Sequence, residues 1–259
     1  FESTSEIISG GAIDINASGN FSNLGLMQAA NGLDIVSGGS FNSEGDILSG
    51  GETSIKAAGA ITNTAGIQSV GDLKLDSSGL VTSDGASVTN GKMTITASGG
   101  LSNSAALSSL GDFAFTSSSG AFKSTGTIAS GGAASVTAHG DVVSGSAIES
   151  GGALKIVSTA CAFEAGGNVL SSGSIEINVA QGIKNSEIIQ SGGAVRLISS
   201  GGGLEDLGRI LSGGSLYLAV LGDIVNKGDI QSVLSASMSS SKNGLANEGL
   251  IFLGKGGLV

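Results

Sequence analysis

Apolar residues recur along the chain at a fixed interval of 20 or 21 positions. The column that starts at Ile7 is aliphatic and is interrupted by one polar residue, Ser87. Its other members include Met27, Ile47, Ile67, Leu107, Ile128, Ile148, Ile189, Ile210 and Ile230. A constant period of about 20 residues predicts a solenoid with these side chains inside, because so short a repeat cannot bury its own apolar face and must stack on its neighbours.

Two further columns keep step with the first. The residue six positions before each aliphatic member is never polar, and this second column includes the aromatic residues Phe21, Phe41, Phe122 and Phe163. Between the two apolar columns lies a polar one, whose asparagines include Asn23, Asn63, Asn103, Asn185 and Asn226. Stacked polar side chains of this kind are expected to form a hydrogen-bonded ladder along the solenoid axis. Ala165 departs from the polar column.

Short strands and tight corners alternate within each repeat. Segments such as Ile13-Asp14-Ile15 have the two-residue period of a strand, and no segment has a helical period. Glycines stand at fixed offsets between the strands, in one column through Gly11 and another through Gly19. Such glycines mark corners that need positive φ or a close approach of the backbone. In the second column two corners carry Cys161 and Gln181 instead.

Strands and corners that recur in this way predict an all-β fold, a right-handed parallel β-helix of about 12 coils with 20–21 residues each. We expect residues 1–259 to form a single repeat segment cut from a longer array, with flanking coils of the same chain at both ends. After Leu107 the step alternates between 21 and 20 residues. The extra residue falls between the leading strand of the repeat and the second glycine corner, which predicts a widened corner or a bulge there.

Composition narrows the classes of partner. The chain has 46 glycines and no proline, which suits strands paired on both sides. Its net charge of −10, without a basic run, argues against nucleic acid as a partner. No apolar stretch is long enough to span a membrane. With Cys161 as the one cysteine, no internal disulfide can form.

Candidate catalytic or metal-binding residues are few. His139 is the one histidine and lies at a corner, and no second strong ligand accompanies Cys161. Acidic pairs occur at Glu44/Asp46 and Glu205/Asp206. β-Helical polysaccharide lyases and hydrolases build clefts from long loops, whereas this repeat never exceeds 21 residues. We therefore predict no catalytic site, no metal site and no cofactor; the alternative is a β-helical carbohydrate-active enzyme.

Some outward positions carry charges. The residue between the two apolar members of the leading strand is Lys155, Glu176 and Arg196 in three consecutive repeats. Side chains of alternating sign on neighbouring turns are within reach of each other. We interpret them as a solvated face with weak ion pairs.

The repeat unit resembles a known family. The stretches 11–19 (GAIDINASG), 214–218 (GSLYL) and 222–232 (GDIVNKGDIQS) are similar to the haemagglutinin repeat of the filamentous haemagglutinin and CdiA family. This resemblance covers essentially the whole chain. It implies a long exoprotein of Gram-negative bacteria, exported by two-partner secretion through an outer-membrane transporter.

The resemblance also implies a role. Adhesin members bind host cells and contribute to virulence, whereas CdiA members carry a receptor-binding region and a toxin to neighbouring bacteria in contact-dependent growth inhibition. We expect a secreted, cell-surface, non-catalytic filament segment whose partners are the transporter and a protein or glycan receptor on a host cell or target bacterium. Stalk and receptor-binding region remain open alternatives.

Overall fold

The computed structural model describes residues 1–242 and 244–254, and these residues form short β-strands and no helix. The chain divides into two compact units, Phe1–Gly132 and Ala133–Val259. Each unit is built from the same repeat. The expectation of one continuous segment over 1–259 stays a prediction.

The first unit contains twenty strands, numbered in chain order. They are β1 (Glu2–Ser3), β2 (Ile7–Ser9), β3 (Ile13–Ala17), β4 (Phe21–Asn23), β5 (Met27–Ala29), β6 (Leu33–Ser37), β7 (Phe41–Ser43), β8 (Ile47–Ser49), β9 (Thr53–Ala57), β10 (Ile61–Asn63), β11 (Ile67–Ser69), β12 (Leu73–Ser77), β13 (Val81–Ser83), β14 (Ser87–Thr89), β15 (Met93–Ala97), β16 (Gly100–Asn103), β17 (Leu107–Ser109), β18 (Phe113–Thr116), β19 (Ala121–Ser124) and β20 (Ile128–Ser130).

The second unit contains eighteen strands among its described residues. They are β21 (Ala134–Ala138), β22 (Val142–Ser144), β23 (Ile148–Ser150), β24 (Leu154–Ser158), β25 (Phe163–Ala165), β26 (Val169–Ser171), β27 (Ile175–Val179), β28 (Ile183–Asn185), β29 (Ile188–Ser191), β30 (Val195–Ser199), β31 (Leu204–Asp206), β32 (Arg209–Ser212), β33 (Leu216–Val220), β34 (Ile224–Asn226), β35 (Asp229–Ser232), β36 (Ala236–Ser240), β37 (Leu245–Asn247) and β38 (Leu250–Leu253).

Every third strand belongs to the same sheet, so each unit has three parallel sheets. In the first unit the orders are β1-β4-β7-β10-β13-β16-β19 (first sheet), β2-β5-β8-β11-β14-β17-β20 (second sheet) and β3-β6-β9-β12-β15-β18 (third sheet). In the second unit the first sheet has the order β22-β25-β28-β31-β34-β37, the second β23-β26-β29-β32-β35-β38 and the third β21-β24-β27-β30-β33-β36.

The register places each residue beside its equivalent one turn away. Ile61, for example, pairs with Phe41 on one side and with Val81 on the other, in parallel. The predicted parallel β-helix is therefore confirmed. The two units together make about 13 turns rather than 12, because the partial repeats at 1–9 and 245–253 each contribute strands. The right-handed sense of the coil stays a prediction.

The extra residue of the longer repeats widens the corner between the third and the first sheet. In the second unit this corner spans three residues at 180–182 and four at 159–162. The strands on either side keep their register with the turns above and below. A widened corner, rather than a bulge inside a strand, therefore accommodates the 21-residue step.

The glycine corners are explained by close approach of the backbone. Among the described residues, Gly100 is the one with positive φ (101°). At Gly85, by contrast, an added Cβ would lie 1.7 Å from the carbonyl oxygen of Ala65 on the preceding turn. The preceding turn therefore leaves no room for a side chain at Gly85. At Gly11 and Gly19, in the first turn, an added Cβ would meet no atom closer than 3.8 Å.

Candidate functional surfaces

The inward side chains of the second sheet form the aliphatic column. Nine members predicted from the sequence are fully buried, with no exposed surface: Met27, Ile47, Ile67, Leu107, Ile128, Ile148, Ile189, Ile210 and Ile230. Ile7, in the first turn, is half-buried. Ser87 is also buried and occupies the same position between Ile67 and Leu107. Its hydroxyl has no hydrogen-bond partner among the described residues. Ser87 therefore changes the chemistry of the column without changing its geometry.

The inward side chains of the first sheet form the second apolar column. Its predicted aromatic members are all buried: Phe21, Phe41, Phe122 and Phe163. The rings of Phe21 and Phe41 stack at 5.6 Å between centroids, with planes 2° apart. In-register parallel pairing brings identical rings into this offset stack.

The polar column lies beside these apolar ones and is buried throughout the second to twelfth turns. Its predicted asparagines are at most 3% exposed: Asn23, Asn63, Asn103, Asn185 and Asn226. Nδ2 of Asn23 donates to Ser43 Oγ on the next turn (3.1 Å), and Nδ2 of Asn103 donates to Ser124 Oγ (2.9 Å). Asn63 instead donates to Ala65 O (2.7 Å) within its own turn. The hydrogen bonds between turns are therefore local, and the column is not one continuous amide ladder.

The Oδ1 atoms of all five asparagines are buried and accept no hydrogen bond from the described residues. An unpartnered buried acceptor costs about 1–3 kcal/mol. These acceptors therefore offset part of the stabilisation that the hydrogen bonds of the column contribute.

Asp206 is a carboxyl group in this polar column. It is fully buried, and its Oδ1 accepts a hydrogen bond from Asn185 Nδ2 at 2.7 Å. Its Oδ2 has no partner among the described residues. Burial raises the pKa of Asp206 above its ordinary value, and the hydrogen bonds from Asn185 and the backbone of Gly208 oppose that shift.

The acidic pairs considered as candidates do not form a joint site. Glu205 is exposed, whereas Asp206 is buried on the opposite face of β31. Glu44 and Asp46 are both exposed at the corner between β7 and β8. Glu44 accepts a hydrogen bond from Asn42 Nδ2 (3.1 Å), and Asp46 accepts one from the backbone of Gly66 (2.9 Å).

The histidine and the cysteine are corner residues. His139 is exposed, and its Nδ1 lies 3.1 Å from Thr159 Oγ1 on the next turn. The backbone N–H of Cys161 donates to Ser158 Oγ (3.1 Å). In the parts of the chain that the structure describes, no three acidic, histidine or cysteine side chains are arranged to hold a metal ion. These same residues also form no helix long and apolar enough to cross a lipid bilayer.

Charges on the outer faces of the second unit pair between turns. Lys155 lies 4.0 Å from Glu176 on the third sheet, as expected from the sequence. The guanidinium of Arg196 instead lies 4.5 Å from the ring centroid of Tyr217. These groups are solvent-exposed, so each contact contributes about 1 kcal/mol or less.

Two outward columns on the second sheet have an ordered composition. The first surface ladder lies in the first unit and consists of Ile8, Gln28, Leu48, Gln68 and Val88. The second surface ladder lies in the second unit and consists of Leu170, Gln190, Leu211, Gln231 and Phe252. In both ladders apolar and glutamine side chains alternate strictly from turn to turn.

A groove runs beside each ladder. In the first unit the groove has a volume of ≈ 380 Å³ and is lined by Gln28, Leu48, Gln68 and the corner residues Gly50 and Val70. In the second unit the equivalent groove has a volume of ≈ 510 Å³ and passes the corner residues Gly192 and Gly213. An added Cβ at Gly50 would lie 2.1 Å from the carbonyl oxygen of Ala30, so glycine allows this turn to stack closely on the preceding one.

The sequence contains a pattern of glutamine and apolar residues from which these ladders could have been predicted. The residue after the inward member alternates between an apolar residue and glutamine over the first five repeats and again over the last five, whereas the repeats between them carry Ser108, Ala129 and Glu149. Gln28 and Gln68 are separated by two turns. Gln190 and Gln231 are likewise two turns apart. An apolar outward residue resembles a core residue in sequence, which hides the alternation.

Comparison with known protein families identifies the repeat. A family model described as the haemagglutinin repeat matches residues 8–65, 53–123, 96–160 and 162–249. No curated protein and no solved structure matches the chain.

Proposed function

The chain belongs to the haemagglutinin-repeat family, and we propose that it is a non-catalytic adhesive segment of a filament displayed on the surface of a Gram-negative bacterium. The repeat itself indicates a structural or adhesin filament region of a two-partner-secretion protein. The proposal adds that the outer faces of the coils bind a receptor on another cell.

The short strands and corners of the repeat support this proposal. Each described turn consists of three strands of two to five residues joined by corners of two to four residues, as at 24–26, 30–32 and 159–162. Such corners are too short to build the walls of a catalytic cleft, and Glu205 and Asp206 point to opposite faces. The functional surface is therefore the set of outward columns, in which ordered side chains repeat from turn to turn.

The composition supports export through a narrow pore as an unfolded chain. The chain has one cysteine and no proline. It therefore forms no internal disulfide and has no slow isomerisation of an X–Pro bond. The proposed export partner is an outer-membrane transporter of the two-partner-secretion type.

Binding of the purified, fluorescently labelled protein to cells tests the adhesive role. We expect saturable binding to host epithelial cells or to Gram-negative bacteria, competed by excess unlabelled protein. The cell type that binds distinguishes a host adhesin from a segment that recognises neighbouring bacteria. Absence of saturable binding to both would leave a stalk and contradict the adhesive role.

Turnover measurements test the non-catalytic part of the proposal. We expect no cleavage of acidic polysaccharides with or without added calcium. Cleavage by the wild-type protein that is lost in the Glu205→Gln and Asp206→Asn variants would establish an enzyme instead.

A further inference from the structure

Asparagine is followed directly by glycine at three places in the sequence, 31–32, 90–91 and 243–244. The third pair includes a residue outside the described ranges, so only the first two can be compared. Both of these lie in corners between the second and the third sheet of the first unit, and both asparagines are exposed. They differ in the hydrogen bonds of the peptide group that joins the asparagine to the glycine.

An exposed Asn-Gly pair can undergo an intramolecular reaction. The backbone nitrogen of the glycine loses its proton to water and attacks Cγ of the asparagine side chain. A C–N bond forms, the side-chain amide takes a proton and leaves as ammonia, and a cyclic imide remains. Water then opens the imide at either of its carbonyl groups, which gives aspartate or isoaspartate without oxidation or reduction. Glycine favours the attack because no Cβ stands beside its nitrogen.

The backbone nitrogen of Gly32 is available for this attack. Within residues 1–242 and 244–254 its N–H group has no hydrogen-bond acceptor, and the side chain of Asn31 has no hydrogen-bond partner. The carbonyl oxygen of Asn31 accepts a hydrogen bond from Ser49 Oγ on the next turn (3.0 Å). That bond polarises the peptide group between Asn31 and Gly32, so it favours loss of the proton from the nitrogen.

The backbone nitrogen of Gly91 is held by two hydrogen bonds. Its N–H group donates to Gly71 O (3.3 Å) and to Thr89 Oγ1 (3.1 Å). Both bonds must break before the nitrogen can attack Asn90, so each adds to a barrier that the first pair does not have. The two pairs therefore have the same sequence and different expected reactivity.

Crowding does not explain the glycine at position 32. An added Cβ there would lie 3.4 Å from Glu52 O, which is an ordinary contact distance, and φ is not positive. The residues at the same corner position in the neighbouring turns are Ala12 and Glu52, which both have side chains. Gly32→Ala should therefore fold normally, and it provides a variant that hinders the attack without disturbing the corner.

Three carboxyl groups, those of Asp14, Asp34 and Glu52, line the groove that contains Gly32. Their charges oppose the loss of a proton from the Gly32 nitrogen. All three side chains are exposed, so dissolved salt weakens their effect. The hydrogen bonds of the peptide group therefore decide the difference between the two Asn-Gly pairs.

We propose that Asn31 is a site of spontaneous covalent modification, at which an imide with Gly32 converts asparagine to aspartate and isoaspartate, and that the isoaspartate product loosens this corner. Isoaspartate adds a carbon atom to the main chain. The N–H of Asn31 donates to Gly11 O on the preceding turn (3.1 Å), and the N–H of Leu33 donates to Glu52 O on the next turn (2.9 Å). An added atom between these two anchors displaces at least one of them. The inference does not depend on the adhesive role.

Incubation of the 259-residue protein at mildly alkaline pH and body temperature, followed by peptide mapping with mass spectrometry, tests the modification. We expect Asn31 to be deamidated at least about tenfold faster than Asn90, because the two hydrogen bonds of Gly91 must break first. Methylation by an isoaspartate-specific methyltransferase should locate isoaspartate at position 31. In guanidinium chloride, which unfolds both corners, the two rates should become similar.

Variants of the corner separate the chemistry from a general effect on the fold. Gly32→Ala should lower the rate at Asn31 to that at Asn90 or below, and Ser49→Ala should slow it several-fold. In the matched control, Ser69→Ala removes the equivalent hydroxyl one turn later, which donates to Gly51 O at 2.7 Å, and should leave the rate at Asn31 unchanged. Equal rates at Asn31 and Asn90 in the folded protein, or a Gly32→Ala variant that reacts as fast as the wild type, would overturn the inference.

Thermal unfolding of the incubated samples tests the loosening of the corner. The midpoint of the wild type should fall in proportion to its isoaspartate content, whereas that of Gly32→Ala, incubated in parallel, should stay constant. Asn31→Asp has the charge of the product without the added main-chain atom and should unfold like fresh wild type. Wild-type protein that accumulates isoaspartate at position 31 with an unchanged midpoint would refute the loosening.

Discussion

Asn185 Nδ2 donates a hydrogen bond of 2.7 Å to Asp206 Oδ1 on the next turn, and both side chains are fully buried. The second carboxyl oxygen of Asp206 and the Oδ1 atoms of Asn185 and Asn226 lack partners among the described residues. Asp206 lies between these two asparagines in the register of the first sheet. Protonation of Asp206 removes a buried charge and supplies a donor in a column that has surplus acceptors.

The stability of the second unit should therefore fall as the pH rises. The folded-state pKa of Asp206 is raised above its ordinary value of 3.8, chiefly by burial. A raised pKa gives a contribution to the free energy of unfolding that is fully present below the unfolded-state pKa and is lost as the pH rises through the folded-state pKa. The Asp206→Asn variant should be more stable than the wild type at neutral pH, with a difference that shrinks towards pH 4. Urea denaturation followed by circular dichroism from about pH 4 to about pH 8 measures this.

A control lies one residue away. Glu205 is exposed on the opposite face of β31, so Glu205→Gln should retain the pH dependence that Asp206→Asn removes. Parallel pH profiles of the wild type and Asp206→Asn would contradict the assignment of this dependence to Asp206.

The aliphatic column should dominate the stability of the coil. Leu107 is fully buried on β17, whereas the next residue, Ser108, points outward. Leu107→Ala should lower the free energy of unfolding by about 2–5 kcal/mol, because it leaves a cavity between stacked turns. Ser108→Ala should change it by no more than about 0.5 kcal/mol. Similar urea midpoints for the two variants would show that this column does not form the core.

Ser87, the polar residue that interrupts the aliphatic column, should lower the free energy of unfolding. The buried Ser87 hydroxyl has no partner among the described residues, so Ser87→Ala should raise the free energy of unfolding by about 1 kcal/mol. In the matched variant, Ser83→Ala removes a buried hydroxyl that donates to Gly85 O at 3.2 Å. That change should lower stability by about 0.5–1.5 kcal/mol. Urea midpoints that shift in the same direction in both variants would contradict this difference.

The repeat period made the interior predictable from the sequence. A strand's side chains alternate between faces, so the spacing of Asn63 and Ile67 within the repeat placed each in an inward column. Parallel pairing of equivalent residues followed, since each turn is too small to bury its own apolar face.

Details that depend on rotamers and local crowding could not be predicted in the same way. Arg196 was expected to extend the charge pattern of Lys155 and Glu176, but its guanidinium lies over Tyr217. A long side chain on an exposed strand can reach either neighbouring turn, and the sequence does not choose between them. The sequence also did not distinguish positive φ from close approach at the glycines. Among the described residues, the one glycine with positive φ is Gly100, the first residue of β16, and not a member of either glycine column.

The glycine corners provide a test of close approach that uses two positions of one column. An added Cβ at Gly120 would lie 2.1 Å from the carbonyl group of Gly99, so Gly120→Ala requires the backbone to shift. We expect a loss of about 1–3 kcal/mol in the free energy of unfolding, the typical cost of overpacking. At Gly19 no atom lies within 4 Å of an added Cβ, and φ is not positive. Gly19→Ala should therefore be neutral or stabilise the protein by up to about 1 kcal/mol, through the lower entropy of the unfolded chain.

Thermal and urea denaturation of the two glycine variants measure the difference. A loss of stability at Gly120 with none at Gly19 supports close approach between turns as the reason for glycine at this corner. If both variants lost stability equally, the backbone conformation of the corner itself would require glycine, and close stacking on the preceding turn would not explain the column.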